Sequence, residues 1–299
     1  MFLIVQLGCR FRLSDRQLHQ FLCESPVARR FVEFSDIRSI PSPKTIWWYR
    51  EAWAQHDSLR QVFDESLQFS LDLIPDAAQH TGKALILDGT FVDARKRHVS
   101  STVHQQIVDG VDPVEIFENP SERRQRDVDA RHTTKNNQKY FGYKTHAKVC
   151  AVTKLIVGAP FTAANRHDSQ LVSALITAND KGAMVFGDSA YNGQNQRRIV
   201  EQVGPTPLFM LKPTKIAQLC ASSNPHVKAK GELLKEYNST ISSTRVRIEH
   251  VFGHFETVFG GSFVRCVGYA RAQAHHWLTA IIYNAQRTVY LLKTADGKT

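Results

Sequence analysis

Long apolar runs are missing from this chain. No stretch reaches the roughly 18 uninterrupted apolar residues of a membrane span, which predicts a soluble protein with no membrane partner. The apolar start, residues 1–7, is too short for a signal h-region, has no basic residue before it and runs straight into Cys9-Arg10-Phe11-Arg12. No export signal is read there. Cysteine is scarce: the five residues Cys9, Cys23, Cys150, Cys220 and Cys266 are odd in number, far apart and never in a CxxC pairing. That excludes a zinc ribbon and fits a reducing cytoplasm. There is no internal repeat and no low-complexity tract. Acid is also in short supply, with 28 Asp+Glu against 38 Lys+Arg, a formal charge of +10 before any of 13 histidines protonates. What remains is 42% hydrophobic and 10% aromatic across 299 residues, enough for a large core and incompatible with disorder throughout.

The excess positive charge is clustered. It sits at Arg95-Lys96-Arg97, Arg123-Arg124-Gln125-Arg126, residues 131–139, Arg197-Arg198 and Arg245-Val246-Arg247. Clusters spread over many segments imply a broad basic surface, and polyphosphate, above all nucleic acid, becomes the leading partner. A merely solvated surface has the same composition, so charge alone decides little.

The first eighty residues read as helical. Ser14 with Gln17 forms a capping box, with Leu13 placed to staple onto Leu18, opening a helix to about Cys23. Ser25-Pro26 and Ser42-Pro43 each pair a cap with proline at the first helical position. A fourth helix is predicted over 58–73, where Leu59, Val62, Phe63 and Leu67 lie near helical spacing. This predicts a small all-α N-terminal domain, residues 1–80. A DNA-reading helix-turn-helix and a packing subdomain both stay open; Lys44, Thr45 and Arg50 suit phosphates, while the Trp47-Trp48-Tyr49 cluster reads as core.

The pattern changes at Lys83. The run Ala84-Leu85-Ile86-Leu87 reads as a buried strand ending on Asp88-Gly89-Thr90, and Ala183-Met184-Val185-Phe186-Gly187 as a second, ending on Asp188. Between them, 99–137 reads as a polar surface excursion, and 140–150 with 154–163 as a hairpin turning at Val152-Thr153. Asp168 reads as the N-cap of a helix through Ile176. A helix over 193–203, a strand over 207–211, a polar loop over 218–233, a helix over 243–259 and a long helix over 270–293 complete the expectation. Residues 81–299 thus form one α/β domain.

Strand ends are where ligands collect in open sheets, which draws attention to Asp88 and Asp188. A third acid, Glu249, borders the apolar helical stripe Ile248, Phe252, Phe255, Phe259, with Arg245 four residues earlier and Arg247 two earlier. Three carboxylates brought together repel unless a divalent cation lies between them, and oxygen-only ligation suits magnesium or manganese. Such ions support in-line phosphoryl displacement with no covalent protein nucleophile, in keeping with the missing Ser-His-Asp signature. Taken singly, Asp88 and Asp188 each read first as a cap or turn former, and Glu249 as the intrahelical ion-pair partner of Arg245. In sequence order, strand-Asp, hairpin, helix, strand-Asp, helix, strand and arginine-flanked Glu form a ribonuclease-H-like layout, a mixed sheet flanked by helices.

The runs Leu87-Asp88-Gly89-Thr90-Phe91-Val92-Asp93-Ala94, Asp129-Ala130-Arg131, Tyr143-Lys144-Thr145-His146, His167-Asp168-Ser169, Gly187-Asp188-Ser189-Ala190-Tyr191 and Arg247-Ile248-Glu249-His250-Val251-Phe252-Gly253 resemble those of bacterial insertion-sequence transposases with a DDE site. They are most similar to the insertion sequence five group, related to the insertion sequence four superfamily. The resemblance implies Asp88, Asp188 and Glu249 as catalytic acids and metal ligands, with Mg2+, or Mn2+ in its place, as cofactor. Their separations are 100 and 61 residues, the second too short for the large β insertion of some related transposases. It further implies cleavage at transposon ends and strand transfer of the 3′-hydroxyl into target DNA. The partners are then double-stranded terminal repeats and target, with a homodimer on DNA in a bacterial cytoplasm.

Arg245 and Glu249 match the family's signature around the last acid, while Ser242 stands at its Tyr position and Glu256 at its Lys position. Those departures keep in view a decayed or domesticated DNA-binding copy; a ribonuclease-H-like nuclease without strand transfer is the second alternative. Arg245 and Arg247 are expected at DNA phosphates. Lys144 and His146, at alternate strand positions and so on one face, read either as DNA-channel residues or as a solvated edge. Tyr191 reads as packing or as a base-stacking ring. Asp93, an odd five positions from Asp88, faces away and is left out.

Overall fold

The computed structural model describes residues 1–56, 58–74, 81–94, 99–135 and 137–295. The basic cluster at 95–97 and the expected boundary at 80 lie outside them.

Local chemistry places the first helices. The helix α1 (Phe2–Arg10) is formed by the apolar start, which carries no side-chain cap. In α2 (Asp15–Glu24) the Ser14–Gln17 capping box is made in both directions. Ser25 and Ser42 cap α3 (Pro26–Phe31) and α4 (Pro43–Gln55), each with proline in the first turn, and α5 (Ser58–Leu73) follows. The aromatic cluster of α4 departs from expectation: Ile46 is the buried residue, while Trp47 and Trp48 are 49% and 59% exposed.

The sheet has strands β1 (Ala84–Asp93), β2 (Arg131–Lys135), β3 (Gln138–Cys150), β4 (Ile156–Gly158), β5 (Phe161–Ala163), β6 (Met184–Gly187) and β7 (Thr206–Phe209). Its order is β2-β3-β1-β6-β7, with β4 and β5 also on β3. β1 and β3 are antiparallel, whereas β1, β6 and β7 are parallel. Two expectations need correcting. β1 does not stop at Asp88 but pairs with β3 as far as Asp93↔Gly142. That continuation depends on Gly142, where a Cβ would lie 2.2 Å from the Val92 carbonyl oxygen. The expected surface excursion contains α6 (Ser101–Val108), α7 (Pro113–Ile116), α8 (Pro120–Arg123) and β2, and it buries Val99, Phe117 and Ala130 against Val92, Phe141 and Tyr143.

After β5 the chain makes a short 3-10 turn and α9 (Val172–Leu175), then α10 (Gln194–Val203) and α11 (Pro213–Cys220). The expected polar loop over 218–233 is instead largely helical. Asn224 caps α12 (Pro225–Phe259), which runs unbroken for 35 residues. The last element is α13 (Tyr269–Ala295).

Packing forms layers about the sheet. One face carries Ile86, Ala147, Val149 and Phe186 against Ile248, Phe252 and Phe255 of α12 and Leu278 and Ile281 of α13. The same core includes Ile4, Leu22, Ile46 and Phe63 of the N-terminal helices, with the Phe63 and Trp277 rings 5.2 Å apart. The other face packs Leu85, Leu87, Val185 and Phe209 against Val172, Leu175 and Val200. No described helix is long and apolar enough to cross a membrane.

His276 ties α13 to the sheet through Thr145 Oγ1 at 3.3 Å and the Ala159 carbonyl at 2.9 Å. Burial pushes this imidazole down to about 4, against a partial rise from the Ala159 bond. The unfolded chain therefore binds a proton that the native state refuses, and stability rises with pH across that window. The contribution is complete above about 6.5 and lost as pH falls towards 4, on the order of 3 kcal/mol. Urea midpoints measured from pH 7.5 to 4.5 should fall steeply for the wild type and less for His276→Gln. Equal slopes would remove His276 as the cause.

Candidate active site

Register brings two of the expected acids together. Ile86 pairs with Phe186 across parallel β1 and β6, so two residues on Asp88 stands beside Asp188, on the face of Ile86 and Phe186. Opposite Asp88 on β3 is Ala147, whose small side chain leaves the carboxylate room. Asp88 lies in mid-strand; Asp188 does terminate its strand, its Oδ1 accepting the Ala190 N–H at 2.8 Å.

Arg245 approaches from α12. Positions 241, 245, 248, 252, 255 and 259 alternate by four and three, so Arg245 rides on the buried stripe of the helix. Its Nη2 donates to Asp88 Oδ2 at 2.7 Å, with the two side chains 15% and 17% exposed. Asp88 Oδ1 accepts the Gly89 N–H at 2.8 Å. Burial raises the Asp88 carboxyl above its ordinary range; Arg245 and the Gly89 amide oppose the rise, and the negative charge of Asp188 adds to it. Arg245 Nε is buried without a hydrogen-bond partner. An orphaned guanidinium N–H beside paired carboxylates is a ready donor for a phosphate oxygen.

Glu249 lies one turn beyond Arg245 and is exposed. Among the described residues no three His, Cys, Asp or Glu side chains converge as a metal site. Asp88 and Asp188 are the hard oxygen donors a magnesium-type ion takes and fit one in chemistry, with Arg245 holding Asp88 Oδ2 here; Glu249 is exposed and not gathered with them. Arg247 is exposed on the same helix.

The remaining expected residues assemble on the reverse face of β1. Lys144 and His146 do share one face of β3, but they are buried rather than open to a channel or to solvent. Lys144 Nζ lies 3.2 Å and His146 Nδ1 3.3 Å from Asp168 Oδ1. Asp168 itself is not the N-cap; His167 holds that position, accepting from the Ser169 N–H. Burial alone would raise the Asp168 carboxyl, but His146 and Lys144 outweigh it and hold it at about 2. Tyr191 is fully buried in the apolar cluster on this side. Sequence reasoning missed this cluster. Lys144, His146 and Lys148 alternate with apolar or small residues along β3, which is the pattern of a strand with one solvated face, so nothing local shows that this face is covered and that each lysine has a carboxylate. Asp168 and Asp180 supply them.

No solved structure matches the chain. The family described as Transposase DDE domain matches residues 79–285, more than half of the chain and the whole stretch that carries Asp88, Asp188, Arg245 and Glu249, so the chain belongs to that family.

Proposed function

We propose that this chain is a DNA transposase of the insertion sequence five group, cutting a strand at transposon ends and joining the freed 3′-hydroxyl to target DNA. The observation that carries the reading is that Asp88 and Asp188 each follow by two residues the paired Ile86 and Phe186 of parallel strands, with Arg245 on Asp88 and its Nε without a partner. The strand order, with two parallel strands on one side of β1 and antiparallel strands on the other, supports a ribonuclease-H-like catalytic domain. A divalent cation, magnesium or manganese, held by Asp88 and Asp188 would neutralise charge on the phosphodiester and sharpen an attacking oxygen.

The chain's own residues do the rest. Asp88 is presented from a strand that β3 pairs through Asp93 and that β6 pairs up to Ile86, two residues before it, which holds its position to strand precision. Arg245 neutralises Asp88 in the free protein and turns its spare N–H to a DNA phosphate. Glu249, exposed on the same helix one turn beyond Arg245, is the third acid of this reading. Arg247 contacts the backbone, and two ends handled together imply a homodimer on DNA. Lys144 and His146 act from behind the strand and not on DNA.

The test is incubation with supercoiled plasmid carrying the element's ends, in magnesium and in EDTA. Magnesium-dependent joined products support the reading. Cuts without joining move it to a nuclease, and metal-independent binding without products to a binding-only copy. Arg247→Ala should weaken binding about equally on all sequences and reduce the slope of log affinity against log salt by about 1. An unchanged slope would remove Arg247 from the DNA.

A further inference from the structure

The buried Asp168 cluster has no part in the chemistry just described, yet it lies directly behind the strand that carries Asp88. Gly89 follows Asp88, and by strand alternation its missing side chain faces the other way. A Cβ there would lie 2.7 Å from Asp168 Oδ1, 3.3 Å from His146 Nδ1 and 3.4 Å from Lys144 Cδ. The carboxylate thus sits against the backbone of β1 in the space a side chain would fill. His146 is the register partner of Gly89 and Lys144 the partner of Phe91, so both groups on Asp168 come from the strand that zips β1 in place. His146 Nε2 reaches Thr162 Oγ1 on β5 at 2.9 Å, and Lys144 Nζ lies 4.7 Å above the Phe91 ring. Two β3 side chains, Lys144 and His146, therefore hold the Asp168 carboxylate against Gly89 of β1, and each is itself held, His146 by Thr162 on β5 and Lys144 by the Phe91 ring on β1.

Tyr191 links the second acid to the same layer. It lies three residues after Asp188, is fully buried, and its hydroxyl has no partner, as do His146 Nδ1 and Asp168 Oδ1 by strict hydrogen-bond geometry. Buried polar atoms without a partner are rare in folded proteins; the Tyr191 hydroxyl, three residues after Asp188, and Nε of Arg245, the ion-pair partner of Asp88, are two of them. A buried charge cluster is also a poor device for stability, since apolar replacements of equal volume are often as good or better. Its placement behind a catalytic strand gives it another use.

We infer that Asp168 is a positioning residue: clamped by Lys144 and His146 against Gly89, it fixes the height and register of β1 so that Asp88 meets Asp188 at metal-binding distance. This rests on the catalytic reading of Asp88 and Asp188. Its test is chosen to separate the two.

Mn2+ binding to the DNA-free protein is measured by electron paramagnetic resonance, alongside DNA affinity, single-turnover cleavage and Tm. Three variants are compared with wild type: Asp168→Asn, which keeps volume and removes charge; Gly89→Ala, which keeps the charge and displaces the contact; and Asp168→Asn with Lys144→Met, which leaves no unpaired buried lysine. The expected result is a Mn2+ Kd weakened about tenfold and cleavage slowed at least that much in all three, the range seen when groups supporting a metal's ligands are removed. DNA affinity should stay within about twofold, and the double variant should regain the Tm lost by Asp168→Asn. Recovery of Mn2+ affinity together with Tm would mean a purely structural role and overturn the inference, as would wild-type Mn2+ affinity in Asp168→Asn and Gly89→Ala, or no Mn2+ binding by the wild type. If Asp168→Asn fails to fold, the other two variants decide. If the wild type binds Mn2+ but never cleaves, the catalytic reading fails while the Mn2+ comparison still judges Asp168.

Discussion

Asp188→Ala is expected to reduce strand cleavage and joining on the order of 10³-fold or more, at least about 4 kcal/mol of transition-state stabilisation, with binding to the ends almost unchanged. The choice of aspartate matters. Asp88 is the ion-pair partner of a largely buried Arg245, so its truncation would strand a cation in the interior and confound lost chemistry with lost stability. Asp188 is half-buried, and the bond recorded for it is local, from the Ala190 amide two residues on. Removing it costs one turn-type hydrogen bond, about 1 kcal/mol, and leaves the core intact. Circular dichroism and Tm close to wild type, together with silent cleavage lanes, would tie the loss to the carboxylate itself. A variant that still cuts at the wild-type rate would end the role assigned to Asp188.

The largest effect on stability is expected from Lys148→Ala, a loss of about 3–5 kcal/mol in urea unfolding. Lys148 Nζ donates to Asp180 Oδ2 at 2.7 Å and Oδ1 at 2.9 Å, and the two side chains are only 5% and 6% exposed. Asp180 Oδ2 also accepts the Thr177 N–H at 2.7 Å, so the pair joins β3 to the turn before β6. Without the lysine, the carboxylate is buried with hydrogen bonds but no counter-charge. Lys148→Met combined with Asp180→Asn should regain much of the loss, because neither partner is then left charged. A single-variant loss under about 1 kcal/mol would show that water or another cation replaces Lys148.

How much of this was legible in the sequence depends on whether the signal was local. The starts of α2, α3 and α4 are written in cap residues within three positions of the helix, and all three form there. The strand ending on Asp188 was equally plain. By contrast, α1 lacks a side-chain cap, and six of the first seven residues are apolar, so they carry no helical period to read. The first half of α12 was missed for the opposite reason: much of its surface, including Leu233, stays exposed, and exposed helices show no apolar stripe. Gly89-Thr90 read as a stop because turn chemistry outweighed pairing; what carries β1 through is β3, fifty residues away in sequence. Of the candidate site, the three acids were singled out by type and order; Asp88 and Asp188 follow the paired residues Ile86 and Phe186, while Glu249 is exposed. Their neighbours were not found that way: that Arg245 meets Asp88, or that Asp168 belongs to Lys144 and His146, is a fact of tertiary contact.

The shared core of the N-terminal helices and α13 has a consequence for how the protein is made. Phe63 on α5 packs on Trp277, and α1, α4 and α5 all pack on α13, the last described element. On the ribosome, residues 2–73 emerge about 200 residues before that partner, a wait of roughly 10–40 s at ordinary elongation rates. Ile4, Leu22, Ile46 and Phe63 have no complete apolar cover during that time. A nascent chain of this kind is a natural client for chaperones, and the sheet with its helices and the N-terminal helices reach their final packing together, only once α13 has been made.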